Sequence, residues 1–143
     1  RFGTSIWRGY DVTLQQKTAC GFALVLGLVA ALNYLPIPGL VDAEGRTFGI
    51  FALDIYDDAL HFASAFWALV AAILSVRAAR MFLILFGTLY FLDGLLGCLT
   101  GSGFLDLGIF TNGVLDIPLQ IKILSSVPHL VLGGAAMAVG FRR

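Results

Sequence analysis

Residues 55–76, IYDDALHFASAFWALVAAILSV, decide the fold. Two acids, Asp57 and Asp58, open the stretch and a long apolar run follows. His61 lies one turn in, and Arg77 and Arg80 come directly after the run. Crossing a hydrocarbon core takes about 20 apolar residues as a helix, and this run has that length. Asp54 or Asp57 can cap its start, because a short acidic side chain accepts from the free N–H groups of a first turn. The stretch predicts one membrane-crossing helix that begins on an acidic face.

Working outward, the composition agrees. Of 143 residues, 59% are hydrophobic and 13% charged. A soluble domain is about 45–50% apolar and about 25% charged. Mean hydropathy is +0.91. The apolar excess falls in blocks, which predicts a single membrane domain over 1–143, all-α, a polytopic four-transmembrane-helix bundle. Residues 1–17 carry Arg1, Arg8, Lys17, Trp7 and Tyr10 and read as an interfacial arm. Helix 1 is expected over about 18–35, closed by Pro36 and Pro38, since proline removes a donor and clashes with the preceding turn. Helix 2 is the opening stretch, about 55–76. Arg77 and Arg80 then bound a short turn, and helix 3 is expected over about 81–99.

Residues 100–120 are Gly-rich yet apolar and read as an interfacial or re-entrant segment. Helix 4 is expected over about 121–141. Two arrangements fit it: a short helix with Pro128 in its first turn, capped by Ser125 or Ser126, or a longer one that begins at Pro118 and kinks at Pro128. Ala23, Gly27 and Ala31 form a small-residue stripe on helix 1 that lets another helix approach closely. Tyr34 and Tyr90 are candidates to anchor, or to hydrogen-bond, near an interface. Phe62, Phe66 and Trp67 read as lipid-facing or packing groups, and Lys122 as a snorkelling side chain.

Charge sets the expected topology. Arg1, Arg8, Lys17, Arg77, Arg80, Arg142 and Arg143 fall on one side, and only Arg46 and Lys122 on the other. Short loops rich in Lys and Arg stay in the cytoplasm, so both termini are expected there. Asp42, Glu44, Asp54, Asp57, Asp58, Asp106 and Asp116 fall on the opposite face. Gly27–Asn33 and Gly87–Asp93 share one spacing, and a histidine sits near the start of each even-numbered helix, a hint of two repeated helix pairs.

The ionisable residues inside the blocks are the candidates for chemistry. Such residues tend to face a bundle interior or a cavity. Asp57 and Asp58 precede His61 by four and three residues and share its helix face. His129 begins a helix that runs the same way, and Asp93 lies late in a helix that runs toward the same layer. His61, His129, Asp57, Asp58 and Asp93 are therefore expected to converge near the outer surface. A buried carboxylate at Asp93 needs a partner, since desolvation disfavours its charged form, and a histidine is the expected one.

Several uses stay open. The groups can simply cap helices and bond one another. Two imidazoles with carboxylates also suit a divalent metal such as Zn²⁺ or Fe²⁺, or proton handling. His61 and His129 can be axial ligands of a haem or chlorin pigment. Lipids or a small molecule can fill the same pocket.

Other chemistry is excluded. A net charge of 0 gives no footing for nucleic acid. No HExxH, nucleophile elbow or phosphate-binding glycine loop is present, and Cys20 and Cys98 lack the CxxC spacing of a redox pair.

Three runs carry a resemblance: LHFASAFWALVAA at 60–72, GTLYFLDGLLG at 87–97 and HLVLGGAAMAVG at 129–140. Together they make residues 50–141 resemble an uncharacterised family of small four-span bacterial membrane proteins. The resemblance implies a bacterial cytoplasmic (inner) membrane and no particular activity. Its members have a histidine matching His61 and another matching His129. They often carry a further histidine where Asp57 stands, and an Asp-Asn pair where Ser125 and Ser126 stand, so a ligand cage of the family would be altered here.

The first expectation for function is a structural or accessory subunit of a larger membrane complex, with other membrane subunits or a second copy as partners beside the bilayer. The second is a membrane redox or metal-binding protein using His61 and His129. The third is a small transporter or sensor.

Overall fold

Local capping chemistry decides where each helix begins. The computed structural model describes residues 12–142. The interfacial arm expected over residues 1–17 therefore lies outside the described residues up to residue 11. Thr13 accepts the Gln16 N–H on its hydroxyl, and the Gln16 side chain accepts the Thr13 N–H in return. This reciprocal box satisfies two orphan donors, so α1 (Leu14–Ala31) starts ahead of the expected residue 18. A short 3-10 turn, Leu32–Tyr34, ends it.

Asp54 repeats the device for α2 (Ile55–Leu74). It accepts from the Tyr56 and Asp57 N–H groups at 2.7 and 3.1 Å, and the Asp57 carboxylate accepts the Asp54 N–H at 3.1 Å. Only Ser75 separates α2 from α3 (Val76–Thr100). Its hydroxyl accepts the Ala78 N–H, so Arg77 and Arg80 lie inside α3 and not in the turn expected of them. Gly101, in a left-handed conformation with φ 81°, closes α3. A short α4 (Gly108–Thr111) follows, then α5 (Leu119–Gly140).

α5 takes the longer of the two expected arrangements. It begins after Pro118 and carries Pro128 in its interior. Ser125 and Ser126, expected as caps, are helical residues whose hydroxyls donate to the Ile121 and Lys122 carbonyls at 2.9 and 2.7 Å. Pro128 has no N–H for the Leu124 carbonyl, so the helix loses one backbone bond just after these back-bonded carbonyls.

Among the described residues the chain is all-α, with isolated β-bridges at Val41, Thr47 and Phe51 and no strand. Four helical stretches are long and apolar enough to cross a membrane: Leu14–Tyr34, α2, α3 and α5. α1 packs on α2, α3 packs on α5, and the pairs join chiefly through α3.

The core is alanine against aromatic. Ala65, Ala68, Ala71 and Ala72 of α2 leave room for Phe22 of α1 and for Phe82, Phe86 and Tyr90 of α3. Phe82 stacks on Phe86 at 5.0 Å, and Phe22 meets both edge-on. Tyr90 is 1% exposed, so it is a core residue and not the interface anchor expected of it. The burial follows from the heptad-like series Leu83, Phe86, Tyr90, which faces inward throughout.

The small residues are used within the chain. A Cβ on Gly27 would meet Ala65 at 3.9 Å, which places the α1 stripe against α2. At the α3–α5 crossing, a Cβ on Gly133 would lie 2.5 Å from the Phe91 N and 2.8 Å from the Gly87 carbonyl oxygen. Backbones this close tolerate no side chain between them.

Outward-facing Leu24, Phe62, Phe66, Ile73, Leu99 and Val131 are all more than 60% exposed. An apolar surface of this extent suits lipid, and the internally bonded helices satisfy the backbone there. Phe62 and Phe66 thus face outward as expected, while Trp67 also meets Phe82 edge-on at 5.0 Å.

The two ends of the bundle differ. One holds the start of α1, where Gln16 donates to the Ala72 carbonyl, and the end of α5, where Arg80 donates to the Gly140 carbonyl. The other holds the 35–54 and 101–118 connections, which carry most of the acids.

Candidate functional site

α2, α3 and α5 bring three rings together toward the acidic end. His61 stands in the second turn of α2, Tyr90 is on α3 and His129 is on α5. The two imidazole centroids are 6.2 Å apart. Tyr90 lies 4.7 Å from His129 and 6.2 Å from His61, so it backs both.

Each imidazole is oriented through Nδ1. The His61 Nδ1–H donates to the Asp57 backbone carbonyl at 2.6 Å. A carbonyl only accepts, so the proton sits on Nδ1 and the lone pair on Nε2. The His129 Nδ1–H donates to Asp93 Oδ2 at 2.7 Å. Among the described residues neither Nε2 atom has a hydrogen-bond partner. His61 is 5% exposed as a residue and lines the cavity described below.

Asp93 is the hub on α3, and its partner is the histidine expected from the sequence. Its other oxygen, Oδ1, accepts the Phe104 and Leu105 N–H groups at 2.6 and 2.9 Å. The 101–118 connection is thereby drawn down to a level about two helical turns inside the end of α3. Gly103 makes this possible, because a Cβ there would meet both Asp93 oxygens at 2.7–2.8 Å and Asp106 Oδ1 at 3.0 Å. The Ser102 hydroxyl and the Leu115 N–H then close the connection on the Gly113 and Thr100 carbonyls.

Asp57 and Asp58 do not join the histidines as a ligand set. The Asp57 carboxylate is occupied at the α2 cap, and it is the Asp57 carbonyl that holds His61. Asp58 turns toward α1, with Oδ2 3.5 Å from Asn33 Nδ2, and its Oδ1 has no partner. Asn33 also accepts from the buried Thr47 hydroxyl at 2.9 Å, so Asp58 belongs to the tie between α1 and the 35–54 connection. Among the described residues no three His, Cys, Asp or Glu side chains group closely enough to hold a metal ion. The five-residue metal set expected from the sequence is thus not assembled. What converges is His61, His129 and, behind His129, Asp93.

A cavity of about 380 Å³ opens beside the two histidines. Its wall includes His61, Asp93 and His129 with Asp54, Asp57 and Asp106, and contains no Lys or Arg. Asp106 and Tyr90 are the functional candidates that sequence reasoning missed. Asp106 follows Gly103 in a connection whose descent to Asp93 has no periodic signal. Tyr90 is one helical turn before Asp93, a spacing that placed it on the same face of α3. Cys20 is exposed and Cys98 half-buried, both away from this wall.

Comparison of the chain with family models, with curated proteins and with solved structures finds no match.

Proposed function

We propose that this chain is a membrane metal-binding protein that holds a cation between His61 and His129. One observation carries the reading: both imidazoles are pinned through Nδ1 beside a shared cavity, and both Nε2 lone pairs are left free. Ligating histidines are commonly held this way, with the second ring N–H given to a carbonyl or carboxylate that fixes the tautomer and raises basicity. The acidic wall without Lys or Arg favours a cation over an anion.

The positive-inside rule supports the orientation. Arg77, Arg80 and Arg142 share the end opposite the cavity, so we place that end and both termini in the cytoplasm and the cavity toward the outside. A bacterial inner membrane fits this orientation.

The test is the metal content and absorbance of the full chain purified in mild detergent. A stoichiometric metal that is lost in His61→Gln and His129→Gln supports the proposal. A metal-free, colourless protein that takes up no added metal refutes it.

A second reading, an accessory subunit of a larger membrane complex, is favoured by the light burial of the two flanking spans. Only 22% of the apolar window of Leu14–Tyr34 and of α5 is buried, against 39% for α2 and 44% for α3. The unburied faces are open to lipid, to another subunit or to a second copy. Gentle isolation from native membranes separates these: a defined larger complex supports the subunit reading, and a lone monomer opposes it.

A further inference from the structure

The spacing of the imidazoles bears on which cation the cavity takes. We infer that it is a bare monovalent d¹⁰ ion, copper(I) or its analogue silver(I), held in a trans arrangement between the Nε2 atoms of His61 and His129. The inference rests on the metal-binding reading above and adds the identity and geometry of the ion.

The number of protein donors is the first argument. Two nitrogens are free, and no third His, Cys, Asp or Glu side chain completes a cluster among the described residues. A structural zinc site takes four protein ligands and a catalytic one takes three. Linear two-coordination is instead the habit of monovalent d¹⁰ ions, and imidazole nitrogen is a donor that suits copper.

Distance is the second argument. A metal–imidazole bond is about 2.0 Å, and a ring nitrogen lies about 1.1 Å from its ring centroid. Two imidazoles trans across one ion then place their centroids about 6.2 Å apart, whereas a tetrahedral angle brings them to about 5.1 Å. The observed centroid separation is 6.2 Å, which has room for the trans pair once both Nε2 atoms turn to an ion between the rings. The rings are inclined by 55°, which a linear bond tolerates because rotation about it is free.

Charge is the third. A trans pair of histidines also suits the iron of a haem, whose edge carries carboxylates. The wall presents Asp54, Asp57, Asp93 and Asp106 and no cation to receive them. An anionic macrocycle is therefore repelled where a bare cation is attracted. Access adds to this. His61 lines the cavity with an unpartnered nitrogen, so an ion there meets it without displacing a protein hydrogen bond.

The experiment uses the full chain in detergent or nanodiscs, titrated in parallel with silver(I), with copper(I) under reductant, and with zinc(II). X-ray absorption is recorded on the copper(I)-loaded wild type. One silver(I) or copper(I) per chain, a coordination shell of two nitrogens without sulfur, and zinc(II) affinity at least tenfold weaker are expected. His61→Gln and His129→Gln should each weaken copper(I) binding at least a hundredfold, and Cys20→Ser with Cys98→Ser should leave it unchanged.

Zinc(II) bound as tightly as copper(I), or a shell of three or more donors, overturns the copper(I) assignment and leaves the metal-binding reading in place. Sulfur in the shell, or binding that follows the cysteines, overturns the assignment as well. No uptake of any of the three ions overturns both.

Discussion

His129 on α5 donates its Nδ1–H to Asp93 on α3 across 2.7 Å, and the same carboxylate accepts two backbone N–H groups from residues 104 and 105. One side chain thus joins two membrane helices and the connection between them. A hydrogen bond between helices in a membrane is worth about 0.6–2 kcal/mol. A buried group left without its partner costs more, about 1–3 kcal/mol.

Asp93→Asn tests that hub. The amide offers one acceptor oxygen and one donor group where the site presents three N–H donors. The variant should lose about 1–3 kcal/mol, seen as a lower midpoint of thermal unfolding in detergent. It should also loosen the 101–118 connection, seen as faster chymotrypsin cleavage at Phe104, Leu105 or Phe110. Unchanged stability and cleavage would show that Asp93 does not hold the connection.

Gly133→Ala and Gly134→Ala form a matched pair. The new Cβ at Gly133 falls 2.5 Å from a backbone nitrogen of α3, and at Gly134 it falls 4.0 Å from the Phe91 ring. The first change should cost about 1–3 kcal/mol through overpacking, and the second should be close to neutral. Equal costs in chemical unfolding would mean that α3 and α5 do not cross at Gly87 and Gly133.

Tyr90→Phe should be neutral or stabilising. The Tyr90 hydroxyl is buried and has no partner among the described residues. Removing a desolvated, unpaired group recovers up to about 1–3 kcal/mol. A clear loss of stability in the same unfolding assay would reveal a bound water or ligand on that oxygen.

Orientation in the membrane is read with introduced cysteines in a Cys20→Ser, Cys98→Ser background. Ala43→Cys, in the acidic-end connection, should react with an impermeant maleimide on intact cells. Arg142→Cys, at the opposite end, should react only after permeabilisation. The reverse pattern would invert the proposed topology.

Acid should loosen the 42–46 turn. The Arg46 backbone N–H, followed by its guanidinium at 2.9 Å, holds the Asp42 carboxyl below its ordinary value of 3.8. A depressed carboxyl contributes stability that is present above its unfolded value and is lost as pH falls through the folded one. Protection of the Glu44 and Arg46 amides, measured against the intrinsic exchange rate at each pH, should therefore fall below about pH 4 and stay constant between pH 5 and 8. The pair is exposed, so the midpoint of global unfolding should barely move. Protection lost between pH 5 and 8 would place another group in control of the turn.

Much of this protein was written locally. Apolar runs of spanning length and prolines after helix 1 are properties of contiguous residues, and a bilayer forces such runs into internally bonded helices. Asp54 as the α2 cap is equally local. The errors in helix limits were local too: the reciprocal Thr13–Gln16 box and the Ser75 cap start α1 and α3 earlier than hydropathy alone suggests. The sequence by itself therefore determined four spanning helices and an acidic end that carries His61.

Tertiary structure decided how each helix is rotated about its axis. Asp57 and Asp58 lie about 100° apart on α2, so the α2 cap takes one and Asn33 of the α1 turn takes the other. Asp93 meets His129 because Gly87 and Gly133 let α3 and α5 close, and Asp106 reaches the cavity because Gly103 leaves room beside two carboxylates. Those outcomes depend on which backbones can approach within an atom's width. That is a property of pairs of helices distant in sequence, and no single stretch contains it.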